Sequence, residues 1–163
     1  MNEDLKTIHN VAYFVGALAH GAERNLGRGS LSICSMAGKK FGLEATENVR
    51  QTDDPEEAVA ILRDALAEQG IVWDFRPFRG GRESSWQVDE DGARRMRLVF
   101  HTCMVRNALF RYAHEQKQSL CYMAHGVFAG AMERVMPGTS VDLQIVHAGP
   151  NACLKEMVWE VTS

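Results

Sequence analysis

The sequence is short of most features that would assign it at sight. Its four cysteines, Cys34, Cys103, Cys121 and Cys153, are too few and too scattered to staple a chain of 163 residues, so no disulfide framework is expected. A reduced, cytoplasmic protein is expected instead, with metal binding or thiol chemistry the open uses for those side chains. Basic residues are not in excess: 18 Lys and Arg stand against 21 Asp and Glu, which argues against a direct nucleic-acid partner. Arg94, Arg95 and Arg97 cluster, but Glu90 and Asp91 lie beside them, so they read as a solvated surface of mixed sign. No apolar run approaches the roughly 20 residues of a membrane span. The polar start Met1-Asn-Glu-Asp lacks the basic and apolar regions of a secretory leader. Internal repeats, low-complexity tracts and a glycine-rich dinucleotide motif are absent as well.

What remains is an ordinary globular composition, 45% hydrophobic and 24% charged, in a length that suits one domain, 1–163. Residues 1–70 read as mainly helical. Leu5, Ile8, Ala12, Val15 and Ala19 recur at helical spacing over 5–21. Gly27-Arg28-Gly29-Ser30 reads as a plain loop, with Ser30 capping a helix over 31–41 that Gly42 ends. Ile33, Met36, Ala37 and Phe41 are expected to face inward there. Asp54-Pro55-Glu56-Glu57 is a strong helix start, followed by an apolar face of Ala58, Ile61, Leu62, Ala65 and Leu66 and a stop at Gly70.

From 71 to 101 the pattern changes to strands. Ile71 to Phe78 alternates, and Asp89-Glu-Asp-Gly92 joins two further strands as a hairpin. Helices return over 104–135, one from Val105 to His114 and one over 120–135, and a terminal hairpin spans 140–161. Strands grouped in hairpins predict an α+β fold, an antiparallel sheet of four to five strands with helices on one face.

The chemistry concentrates in the last third. Cys121 opens a helix, His147 ends a strand, and Cys153 follows the turn Gly149-Pro150-Asn151. Two thiolates and an imidazole form a donor set that zinc favours, and His125, Asp142, Gln144 or water are available for a fourth position. Cys34 and Cys103 read as small buried hydrophobes. His125 lies one turn after Cys121 and reads as a surface histidine, with a pocket or ligand role as the alternative. Gly126 and Gly130 are expected to mark a close helix–sheet contact that also leaves volume for a guest. Phe100, Tyr122, Met123, Phe128 and Met132 are the candidate lining around them, and His101 and Arg106 are available to orient a polar end.

Val105-Arg-Asn107, Leu120-Cys121, Gly126-Val-Phe-Ala-Gly130, His147, Gly149 and Cys153 together resemble the 4-vinyl reductase, or hydrocarbon-binding, domain family. That family is akin to haem-nitric-oxide-binding domains and to subunits of the Golgi trafficking particle. The resemblance covers about residues 99–161. It implies a binding or sensor domain for an apolar or aromatic small molecule, acting through a homodimer or a separate output protein. It also implies zinc held by Cys121, by His147 in place of a cysteine, and by Cys153, with Gln144 where the family carries glutamate.

An enzyme is the competing expectation. A weaker likeness to thiazoline-carboxylate hydrolases would make Cys121 a nucleophile with His125 or His147 as base, or would use an open zinc to activate water. Haem binding through one of the histidines is a third and lesser reading.

Overall fold

In the computed structural model, which describes residues 3–103, 105 and 116–162, four helices and five strands make one α+β domain. The helices are α1 (Glu3–Leu26), α2 (Arg28–Ala45), α3 (Pro55–Glu68) and α4 (Ser119–Val135). The strands are β1 (Asp74–Pro77), β2 (Trp86–Val88), β3 (Arg94–Thr102), β4 (Thr139–Ala148) and β5 (Cys153–Val161). The expected helix from Val105 to His114, and Arg106 with it, lies outside the described residues.

Every strand pairing is antiparallel, in the order β1-β3-β5-β4, and β2 takes the same edge of β3 further along. Side chains alternate across the sheet. Met96, Leu98 and Phe100 of β3, with Met157 and Trp159 of β5, face the helices and are buried, whereas Arg95 and Arg97 face outward. One wet and one dry face is usual for such sheets.

The third helix follows its sequence cues closely. Asp54 accepts a hydrogen bond from the Glu56 amide at 2.9 Å, which satisfies one orphan donor of the first turn. Ala58, Leu62, Ala65 and Leu66 are buried, and Gly70 ends the turn at φ 76°.

The second helix corrects the sequence reading. It starts at Arg28 with Gly27 as its cap, and the Ser30 hydroxyl donates back to the Gly27 carbonyl from inside the first turn. Gly42 does not end it. The buried face of α2 is Ser30, Gly38 and Gly42, whereas Ile33 and Met36 are 57% and 72% exposed. The reason lies in α4, whose contact with α2 is the most extensive between any two elements. A Cβ on Gly38 would lie 2.9 Å from the Met123 carbonyl carbon, and one on Gly42 would lie 2.9 Å from the Ala131 nitrogen. Gly126 and Gly130 meet the α2 backbone at Ser35 and Lys39 in the same way. Backbone-to-backbone approach on this scale needs glycine on both helices. The glycine face therefore turns inward and displaces the apolar face to the outside.

The helix α1 shows the same displacement. Ala19 is buried, but Ile8, Val11, Phe14, Val15 and Leu18 are exposed, in a stripe adjoining the packed side. The Glu23 carboxylate anchors α1 to the start of α4, accepting from the Ser119 amide at 2.9 Å and from its hydroxyl. Among the described residues no helix is long and apolar enough to cross a membrane.

Candidate functional site

The core between α4 and the sheet is aromatic. Trp73, just before β1, Phe75 of β1, Phe100 of β3 and Phe128 of α4 are all buried. Phe75 and Phe100 stack at 5.1 Å, Trp73 lies 5.2 Å from Phe100, and Phe128 meets Phe75 edge-on at 5.5 Å. Such pairs contribute about 0.5–1.5 kcal/mol each beyond the area they bury.

Into this cluster β5 places a cation. Lys155 shares the inward face of its strand with Met157 and Trp159 and is 4% exposed. Its Nζ lies 4.7 Å from the Phe100 ring centroid and 5.7 Å from that of Trp73, within the range of cation–π attraction. The period of two in Lys155-Glu-Met157-Val-Trp159 was the sequence signal for this inward lysine, and its charge hid it.

Beside Lys155 lies a depression walled by Cys103, Cys121, Ile145 and Cys153. Its volume is about 20 Å³, near the minimum that holds one water. Cys121 and Cys153 thus share one wall with Cys103. Cys103 is both buried and part of that wall.

Two polar atoms of this region are buried without a hydrogen-bond partner among the described residues, Trp73 Nε1 and His125 Nε2. His125 is not on the surface, as its sequence context suggested, but 6% exposed. Burial first, and then the charge of Lys155, push its pKa down to about 3, so the imidazole is neutral at physiological pH. An orphan polar atom inside a core costs about 1–3 kcal/mol, and each such atom needs an explanation.

The other sequence candidates fall on different surfaces. Phe100, Phe128 and Met132 are fully buried core residues, while Tyr122 and Met123 are 37% and 38% exposed. The room above Gly126 and Gly130 is filled by the α2 backbone. His147 is solvent-exposed on β4, its Nε2 3.3 Å from where a Cβ on Gly149 would lie.

Tested as a zinc site, Cys121, His147 and Cys153 do not fit. No three His, Cys, Asp or Glu side chains among the described residues are gathered so as to hold a metal ion. Gln144 is occupied with Asp142 at 3.0 Å. The Cys121 pKa is raised, chiefly by burial and only partly opposed by the Lys117 backbone and Lys155. A thiol pushed that way is a poor nucleophile at neutral pH, which weakens the hydrolase expectation.

No protein-family model matches the chain, and no curated protein sequence matches it. Among solved structures, the fold is similar to the crystal structure of the phenol-responsive sensory domain of the transcription activator PoxR with phenol. The TM-score is 0.61 at 13% sequence identity, over 91% of this chain and 73% of that one. At that identity the likeness establishes the fold: an α+β arrangement of helices over an antiparallel sheet, used in that protein as a sensory domain.

Proposed function

We propose that this chain is a sensor-type binding domain for a small aromatic or otherwise apolar molecule, received beside Lys155 between α4 and the sheet. The observation that carries the reading is Trp73 Nε1, buried and unpartnered among the described residues, in the aromatic cluster that Lys155 overlies, with His125 Nε2 likewise unpartnered in the field of the same lysine. An apolar guest with one polar group satisfies such surroundings, and apolar sites with a few polar groups are the usual small-molecule sites. The fold's likeness to a phenol-responsive sensory domain supports the same ligand class, and so does the resemblance to hydrocarbon-binding domains.

The depression of about 20 Å³ is far smaller than the ~150 Å³ cavity that receives benzene in an engineered protein. A ligand must therefore move side chains as it enters. That requirement is what gives a sensor two states: the guest stabilises the opened arrangement by its differential affinity for it. Output then passes to a second protein or a second copy. The exposed stripe of Ile8, Val11, Val15 and Leu18 on α1, spaced three and four residues apart, supports a second copy, because that spacing forms a seam between helices.

Titration with phenol and with toluene, followed by calorimetry and by thermal shift, tests the reading. Saturable binding of either, weakened by Trp73→Phe or by His125→Leu, is expected. Folded protein that binds neither compound sinks it.

A further inference from the structure

The outer face of the sheet carries a second concavity, unrelated to the aromatic core. The chain leaves β1 at Pro77, opposite Leu98, and re-enters as β2 at Trp86, opposite Met96. Residues 78–85 are thus looped out over a short step along β3. Gly80 and Gly81 allow that loop its turn, at φ 56° and 83°. Between the loop and the strands lies a groove of about 220 Å³.

Four of its lining residues are arginines from two separate segments, Arg79 and Arg82 of the loop and Arg95 and Arg97 of β3. The one carboxylate in the lining, Glu156, has both oxygens engaged, with Arg95 at 3.2 Å and with Arg97 at 3.4 Å. Behind the lining, Asp89 pairs with Arg95, and Glu56 pairs with Arg79 at 3.0 Å. These three acids hold three of the guanidinium groups in place and leave one positive charge over on the four arginines. Arg82 is held only by the neutral Gln87 amide, at 2.7 Å, and meets no carboxylate among the described residues. A positive groove on a chain of net charge −3 is a local feature of the tertiary structure. Fixed guanidinium forks match the geometry of phosphate oxygens.

We propose that this groove binds a small phosphomonoester. The arginines take the phosphate, and the half-exposed Phe78 ring in the lining flanks the organic part. The volume exceeds what a bare phosphate fills, which is why an ester rather than the free ion is assigned.

Phenyl phosphate is the probe, titrated calorimetrically at low ionic strength, with inorganic phosphate and phenol as comparisons. Saturable binding at one site per chain is expected, tighter than that of inorganic phosphate and undiminished by saturating phenol. Arg82→Ala and Arg97→Ala, both at exposed positions, should each weaken it by about tenfold or more, the usual loss for a charge-assisted contact. Circular dichroism confirms that both variants remain folded. The proposal is overturned by an absence of saturable binding or by affinities unchanged in both variants. Inorganic phosphate binding as tightly as the ester would mean an adventitious anion only.

Discussion

Gly42 of α2 and Val127 of α4 approach so closely that a Cβ on Gly42 would collide with the Val127 carbonyl oxygen. Backbone cannot yield as the end of a side chain can, so Gly42→Ala must separate the helices or distort one of them. Overpacking of this kind costs typically 1–3 kcal/mol and sometimes more, and here the loss should lie at the upper end. Urea denaturation measures it. Gly21→Ala is the control: it lies inside α1 with nothing within 4 Å of a new Cβ, and should stabilise by about 0.5–1 kcal/mol. Equal effects at the two positions would contradict the helix crossing.

The buried imidazole predicts a pH dependence. His125 has its pKa depressed to about 3 in the folded state, against about 6.5 unfolded. Between those values the unfolded chain binds the proton and the folded chain does not, so stability is full above the unfolded value and is lost as pH falls. The slope is at most about 1.4 kcal/mol per pH unit. Glu56 and Glu57, whose folded pKa values are lowered chiefly by hydrogen bonds from Ser85 and Thr52, add to the slope as pH falls below about 5.5, so the histidine is read between about pH 6.5 and 5.5. Denaturation midpoints for wild type and His125→Leu over that window check it: the variant should slope less than wild type.

Glu133 joins three elements. One of its oxygens accepts from Lys39 Nζ of α2 at 2.8 Å and from the Val141 amide of β4 at 3.0 Å. Its side chain is 15% exposed. Glu133→Ala strands the Val141 donor and should cost about 1–3 kcal/mol, whereas the solvent-exposed pair of Lys40 and Glu44 should contribute under about 0.5 kcal/mol. Thermal midpoints of Glu133→Ala and Lys40→Ala, compared side by side, decide the point.

The outward stripe on α1 predicts self-association. Phe14 and Leu18 are 68% and 64% exposed, an arrangement that large apolar side chains rarely keep in a monomer when contiguous. Phe14→Glu with Leu18→Glu should yield a monomer by light scattering where the wild type is a dimer, with unchanged circular dichroism. A monomeric wild type would assign the stripe to another partner.

Because Cys121, His147 and Cys153 are not gathered, removal of metal by a chelator should leave the melting temperature unchanged. A drop on chelation that added zinc reverses would restore the metal site the spacing suggested.

The parts legible in the sequence were those set by local chemistry. Asp54 and Pro55 start α3 because an acceptor side chain and a preset φ suit a first turn wherever it occurs. Asp89 to Gly92 makes the β2–β3 turn because Gly92 accepts φ 84°, and the period of two separates Met96 and Leu98 from Arg95 and Arg97. The likeness of 99–161 to a binding domain also pointed toward the fold that was found.

Tertiary structure decided which of two plausible faces turns inward. Ile33, Met36 and Phe41 looked like the core side of α2 by hydropathy, yet Gly38 and Gly42 took that side. Two helices gain more contact where their backbones touch than where large side chains hold them apart, and only the facing glycines of α4 make that possible. Likewise no spacing along the chain shows that Arg79 and Arg82 stand over Arg95 and Arg97, or that Lys155 lies on Phe100. Those neighbours are fixed by strand register, and register follows from how the whole sheet buries one face.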